Sequence, residues 1–125
     1  MQQILEAEEG LLIIPAPVTA EVDYLVRQRG GSVAGRHFLE DLAEGRFRVE
    51  GLTLEEHGLA LARHDRYAGL DLGLADLSVV VLARRFRTRR LLTFDERDFR
   101  PIAPLQGGAF TLLPADASGG HQPPT

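Results

Sequence analysis

The sequence contains no cysteine, and its 14 basic residues are all arginine, so it contains no lysine either. The absence of cysteine excludes a disulfide scaffold, a thiolate metal centre, a cysteine nucleophile and an iron–sulfur cluster. The absence of lysine excludes a Walker-type phosphate loop, a Schiff base and a lysine general base. Composition alone therefore excludes several classes of enzyme.

An excess of positive charge and long apolar runs are absent as well. Eighteen acidic residues against 14 basic ones give a formal net charge of −4, so a polyanion has to bind a local basic patch. No apolar run reaches the roughly 18 residues needed to span a bilayer. The polar, acidic residues 1–10 are unlike a signal peptide. We expect a soluble protein without membrane contact, by default in the cytoplasm.

The chain has 125 residues, 44% of them hydrophobic, which suits one compact domain. We predict that residues 1–114 form this domain. Residues 115–125 contain two glycines, two adjacent prolines and no large apolar side chain. This composition is typical of a disordered C-terminal tail.

Strand patterns and helical patterns alternate along the domain. Strands are predicted at residues 11–14, 46–50, 90–94 and 110–113. Helical patterns lie between the first three strands, and residues 2–9 resemble the end of a helix that stops at Gly10. Strands separated by helices predict an α/β, three-layer fold with a mainly parallel sheet and helices on both faces.

Particular residues predict where the helices begin and end. Thr19 is predicted to cap a helix that closes at Gly30 and Gly31, and Ser32 to cap the next helix. Thr53 followed by Glu56 has the form of a capping box. Residues 73–86 are apolar nearly all round, which predicts a helix inside the domain.

Three carboxylates stand out by their positions relative to these elements. Glu21 follows the first predicted strand, Asp95 follows the strand at 90–94, and Asp76 lies in the first turn of the apolar helix. Ligand sites of open α/β sheets lie at the carboxyl ends of the strands, where such residues meet. Carboxylates held close together repel one another unless a divalent cation binds them, and magnesium prefers such oxygen ligands. The sequence therefore predicts a magnesium site, with Asp98 as a further candidate ligand.

Each of these carboxylates also has a purely structural interpretation. Glu21, taken alone, is better explained as a partner of its helix dipole, and Asp95 is equally well explained as an N-cap. Asp76 has the weakest structural explanation, because a charge beside so many apolar neighbours needs a partner or a cation. The metal-site hypothesis thus depends on the convergence of all three.

Basic residues are concentrated at the end of the apolar helix and in the loop after it. Five arginines fall within seven residues and are candidates for phosphate contacts: Arg84, Arg85, Arg87, Arg89 and Arg90. Cations at a helix C-terminus also stabilise the helix dipole, and we give the two explanations equal weight. His57 and His64 lack the HExxH arrangement, so we interpret them as solvated or capping residues rather than metal ligands.

Three segments give the chain a resemblance to the PIN-domain ribonucleases, and most closely to the VapC toxins. The segments are Thr19-Ala20-Glu21-Val22, Leu74-Ala75-Asp76-Leu77-Ser78-Val79-Val80-Val81-Leu82-Ala83 and Leu92-Thr93-Phe94-Asp95-Glu96-Arg97-Asp98-Phe99. The resemblance covers about residues 1–114. It implies an endoribonuclease dependent on Mg²⁺ or Mn²⁺ that cleaves RNA phosphodiester bonds, is inactivated by a cognate VapB-like antitoxin and forms a homodimer. It also implies that Glu21, Asp76 and Asp95 fill three of the family's four acidic positions. If the protein is such a nuclease, we expect the five arginines to contact RNA phosphates.

The fourth acidic position has no counterpart in this sequence. Family members open with a strand that carries an Asp, followed by a helix whose end corresponds to Gln2–Gly10 here. In the family this strand lies between those that match residues 11–14 and 91–94. A sheet without it would leave two rows of backbone groups unpaired. We expect that Met1 is a wrongly assigned start or that the sequence is truncated, in preference to a remnant completed by another chain.

Two alternatives to an active nuclease follow from the sequence. One is an N-terminally truncated, catalytically inactive PIN-like protein that binds an antitoxin or dimerises. The other is a phosphoacceptor receiver domain, which shares the fold class and an acidic pocket. That second alternative needs a lysine near the phosphorylated carboxylate, and this chain has none.

Overall fold

The structure, a computed structural model, describes residues 4–92 and 101–113. The tail predicted at 115–125 lies outside these residues. The strands are β1 Ile4–Glu6, β2 Leu12–Pro15, β3 Arg48–Glu50, β4 Arg90–Leu92 and β5 Thr111–Leu113. The helices are α1 Ala16–Ala43, α2 Leu54–Arg66 and α3 Leu74–Arg85, with short 3₁₀ turns at Glu8–Gly10 and Ala68–Leu70.

The five strands form one sheet in the order β3-β2-β1-β4-β5. The outer pairs, β2 with β3 and β4 with β5, are parallel, whereas β1 runs antiparallel to both of its neighbours. The predicted α/β class is confirmed. The sheet is mixed rather than mainly parallel, because the central strand runs against the others.

The first segment is a strand and not the end of a helix, so that prediction was wrong. Leu5 pairs with Ile13 on one side and with Leu91 on the other, and its side chain is fully buried. Segment Ile4–Glu6 therefore occupies the central position that the sequence was expected to leave unfilled. Backbone groups on both neighbouring strands need partners in the buried centre of a sheet, and this requirement outweighs local helix propensity.

Helix α1 begins directly after β2, at Ala16, four residues earlier than a cap at Thr19 predicts. Thr19 does not cap it: its hydroxyl donates to the carbonyl of Pro15 at 3.4 Å, one turn back. Proline is tolerated in the first helical turn, where its missing N–H has no partner to lose. The predicted break at Gly31 is confirmed, since this residue adopts φ 73° and ψ −165° inside the helix, a conformation that only glycine adopts without strain.

Helix α2 begins as the capping box predicts. The Thr53 hydroxyl accepts from the Glu56 N–H at 3.1 Å, and the Glu56 carboxylate accepts from the Thr53 N–H at 2.9 Å. Strand β3, just before it, lies at one edge of the sheet as expected from its alternating pattern.

Helix α3 is the centre of the hydrophobic core. Its residues 77–83 are all buried, and the helix packs against α1, α2, β1 and β2. The prediction of an internal helix is confirmed. In the described part of the chain, no helix combines the length and the apolar character needed to cross a membrane.

Candidate active site

Two of the predicted metal ligands lie near the beginnings of two helices that pack on the same strand. Glu21 is in the second turn of α1, and Asp76 is in the first turn of α3. Both side chains are half-buried. Helices α1 and α3 contact each other and both contact β2. Asp76, in the first turn of α3, lies where the positive end of the helix dipole stabilises a carboxylate.

The other two predicted ligands, Asp95 and Asp98, lie outside the described residues. Over residues 4–92 and 101–113, the structure contains no group of three or more acidic or histidine side chains placed to hold a metal ion. The described part of the predicted site therefore consists of Glu21 and Asp76 alone.

Glu6 is the carboxylate of the central strand β1, and it lies in a different part of the sheet from Glu21 and Asp76. It lies opposite Arg90 in the β1–β4 ladder, and its Oε1 accepts from Arg90 Nε at 2.8 Å. Because β1 is antiparallel to β4, Glu6 lies where β4 begins, whereas Asp95 follows the end of β4. Glu6 therefore does not fill the fourth acidic position that the resemblance implies.

The predicted phosphate-contact arginines have different environments. Four of them, Arg84, Arg85, Arg87 and Arg89, line one open groove of about 560 Å³ together with Gln106. Arg90 is not among the residues that line it and is paired with Glu6. Gln106 comes from the turn before β5, 17 residues from the nearest of the arginines, and no sequence signal pointed to it.

Arg85 is held in a network that ties α3 to the preceding elements. Its guanidinium donates to Glu56 Oε2 at 2.9 Å, to Glu50 Oε1 at 2.8 Å and to the carbonyl of Gly51 at 2.6 Å, and it also pairs with Glu56 Oε1. Hydrogen bonding to Arg85 lowers the pKa of Glu56 from 4.5 to about 2. Hydrogen bonding to Glu56 in turn raises the pKa of Arg85. These ion pairs neutralise Arg85, so it is a structural cation.

The groove that these arginines line and the two carboxylates lie at opposite ends of α3. Asp76 is in the first turn of that helix and Arg84 in the last. Eight residues separate them, which is about 12 Å along the axis at 1.5 Å per residue. The arginines lie at the end of α3 and in the loop after it, as the sequence indicated, next to the amino ends of β4 and β5.

Comparison with known proteins places this arrangement in a class. No family model matches the chain. The chain is 35% identical over 114 residues to Ribonuclease VapC26 of Mycobacterium tuberculosis, an alignment that covers 91% of this chain and 84% of that protein. The mixed five-stranded sheet with its three helices is consistent with a PIN-like fold. Fold and similarity together define a ribonuclease-type α/β protein. The chain belongs to the VapC ribonuclease family.

Proposed function

We propose that this protein is an endoribonuclease toxin that hydrolyses RNA phosphodiester bonds with the help of Mg²⁺ or Mn²⁺. The observation that carries the proposal is the identity to a VapC ribonuclease over 91% of the chain. The placement of Glu21 and Asp76 supports it, since both are half-buried at the beginnings of helices that pack on one strand. Asp95 and Asp98 complete the proposed site.

The donor atoms suit the proposed metal. Glu21 and Asp76 offer carboxylate oxygens, which are the hard ligands that Mg²⁺ and Mn²⁺ prefer. A divalent cation, when bound, lowers the pKa of a coordinated water and offsets negative charge on a phosphodiester. The chain has neither a lysine nor a cysteine that could take over this chemistry.

The residues of the chain have separate tasks in this proposal. Glu21 and Asp76 hold the cation between α1 and α3, and the buried residues 77–83 fix the position of Asp76 by anchoring α3 in the core. Asp95 and Asp98 supply further carboxylate oxygens. Rigid placement of the ligands matters, because a phosphoryl centre must meet its attacking water in line.

A VapB-like antitoxin and a second copy of this chain are the proposed protein partners. An RNA phosphodiester is the proposed substrate. These proposals follow from the VapC family resemblance and are independent of the metal site, so each can fail separately.

The test is the cleavage of RNA by the Asp76→Asn variant in Mg²⁺. We expect the rate to fall by about 100-fold or more, because an amide in place of a ligating carboxylate costs more than the loss of an outer-shell partner. Asp65→Asn makes the same chemical change on α2, where the side chain is 72% exposed, and should cleave like the parent. Equal rates for Asp76→Asn and the parent would contradict the proposed site.

One observation favours a second function, that of a catalytically inactive interaction protein. The central strand carries Ile4, Leu5 and Glu6, and its single carboxylate is paired with Arg90 at the amino end of the neighbouring strand β4. An inactive protein would bind the antitoxin or dimerise but show no metal-dependent cleavage. Absence of cleavage by the parent in both Mg²⁺ and Mn²⁺, with antitoxin binding retained, would favour this alternative.

A further inference from the structure

A groove at the amino ends of β4 and β5 is lined by arginines. We call it the arginine groove; the described residues that line it are Arg84, Arg85, Arg87, Arg89 and Gln106. One side is the last turn of α3 and the loop after it. The other side is the turn before β5. No carboxylate is among the described residues that line it, although the chain as a whole has an acidic excess of four charges.

Three of these arginines keep their positive charge uncompensated by an acidic side chain. In the described part of the structure, Arg84 and Arg87 are exposed and make no ion pair. Arg89 donates to the carbonyls of Gly107 at 2.6 Å and Gln106 at 3.2 Å, which hold the guanidinium in place without neutralising it. Elsewhere most arginines pair with carboxylates, as Arg27, Arg36, Arg46, Arg48 and Arg90 do.

Arg87 occupies a backbone position at which glycine is the ordinary residue. Helix α3 ends in a Schellman motif: the Thr88 N–H donates to the carbonyl of Ala83 at 2.9 Å and the Arg87 N–H to that of Arg84 at 3.2 Å. Arg87 lies in the left-handed region with φ 54°. Helices usually place glycine there because a side chain costs stability. A cation kept at this cost, next to two other uncompensated cations, points to a ligand.

Gln106 adds a neutral hydrogen-bonding group to the groove. Its Nε2 donates to the carbonyl of Thr88 at 2.9 Å. Its Oε1 is buried and has no hydrogen-bond partner among the described residues. The bond from Nε2 fixes the Gln106 side chain against the loop after α3, so that it forms part of the wall of the groove.

We infer that the arginine groove is a second RNA-contact site, which binds backbone phosphates of the substrate away from the bond to be cleaved. This inference rests on the proposed ribonuclease function. Arg84 and Arg87 bind phosphates directly, Arg89 lines the groove and holds the turn before β5, and Arg85 anchors the end of α3 through Glu50 and Glu56. The groove lies about 12–16 Å from Asp76 along α3, so an RNA must extend beyond the carboxylates to reach it.

The test measures binding without cleavage. A labelled single-stranded RNA of about 20 nucleotides is titrated in EDTA with Asp76→Asn protein, and with the same protein carrying Arg84→Gln and Arg87→Gln. We expect the dissociation constant to rise about tenfold near 0.1 M salt. In a plot of the logarithm of affinity against the logarithm of salt concentration, the magnitude of the slope should decrease by about 1.4. Each phosphate contact on a single strand contributes about 0.7, and two contacts are removed.

The matched control carries Arg29→Gln and Arg66→Gln in the same background. Both arginines are exposed and make no ion pair in the described structure, so the change in net charge is the same on other surfaces. The control should bind as the parent does. Equal losses in both double variants would show that only net charge matters and would overturn the inference.

Substrate length gives a second readout in Mg²⁺. The Arg84→Gln, Arg87→Gln protein should cleave a long RNA about tenfold less efficiently at subsaturating substrate. It should match the parent on an RNA too short to reach both the carboxylates and the groove. An equal loss on short and long RNA would mean that the catalytic end is damaged, which contradicts a separate binding site.

Arg87→Gly guards against a loss that is due to unfolding. Glycine suits the left-handed position, so the melting temperature should equal or exceed that of the parent while RNA affinity falls. Unchanged affinity in this variant and in the double variant would overturn the inference and leave the proposed function intact. A parent protein that bound no RNA at all would overturn both.

Discussion

Arg87 shows how a single side chain can act against the local backbone preference of its position. It is the residue after the C-cap of α3 and has φ 54°. A non-glycine residue in the left-handed region costs roughly 1–2 kcal/mol. Its side chain makes no ion pair in the described structure that would offset this cost. Arg87 therefore lowers the stability of the folded state, and its guanidinium is available to a ligand.

Arg87→Gly should therefore stabilise the protein. We expect a gain of about 1 kcal/mol, reduced by the greater backbone entropy of glycine in the unfolded chain and by the loss of a cation near the helix C-terminus. Urea unfolding of the parent and variant measures the difference. Arg84→Gly, in the interior of the same helical turn, should instead destabilise by about 1 kcal/mol. Destabilisation by Arg87→Gly would show that the arginine is kept for stability.

At the scale of elements, the junction of α2, α3 and β3 is held by side chains that each have more than one partner. Glu56 belongs to the capping box at the start of α2 and also pairs with Arg85 in the last turn of α3. Arg85 in turn pairs with Glu50 at the end of β3. One guanidinium thus joins three elements that are distant in sequence. The sequence indicated the capping box but gave no indication that its glutamate has a second partner.

Glu56→Gln separates the two roles of this residue. Glutamine can still complete the capping box, so the loss reflects the ion pair with Arg85, and we expect about 2–3 kcal/mol at neutral pH. Urea unfolding measures it. Glu55→Gln is the control, because Glu55 is exposed in the same first helical turn, and it should stay within about 0.5 kcal/mol of the parent.

The loss of stability caused by Glu56→Gln should also depend on pH. The folded pKa of Glu56 is lowered from 4.5 to about 2, so the folded state favours the charged carboxylate. Its contribution is complete above pH 4.5 and disappears as the pH falls towards 2. The stability difference between parent and Glu56→Gln should shrink through this window. A constant difference from pH 7 to pH 2 would contradict the ion-pair explanation.

At the scale of the whole molecule, the two proposed sites lie near opposite ends of α3. Glu21 and Asp76 lie near the beginnings of α1 and α3, while the arginine groove lies at the end of α3 and the amino ends of β4 and β5. The rigid, buried α3 sets the distance between them. The separation allows the metal site and the groove to be altered independently.

Metal binding to the folded protein should raise its melting temperature. At a magnesium concentration ten times the dissociation constant, the native state gains about 1.4 kcal/mol, which corresponds to a rise of about 5 °C for a domain of this size. The rise should be absent in Asp76→Asn and retained in Asp65→Asn. Sodium chloride at matched ionic strength controls for general salt effects. No rise in the parent would contradict an intact metal site.

Local sequence signals determined most of the element order. The apolar run of α3, the capping box at Thr53, the break at Gly31 and a strand at 46–50, of which the structure has 48–50, were all predicted, because each depends on neighbouring residues or on a single backbone conformation. The family was also identifiable from the motifs around Glu21, Asp76 and Asp95. The metal-ligand roles of these residues stay predictions.

Tertiary structure alone decided the identity of the central strand. Residues 4–6 have an unremarkable local pattern, and their strand conformation comes from unpaired backbone groups on β2 and β4, which lie far apart in sequence. Tertiary structure likewise decided which arginines are neutralised and which are not. Charge pairing depends on residues brought together from up to 84 positions apart, as with Arg90 and Glu6, and no local pattern encodes such distances.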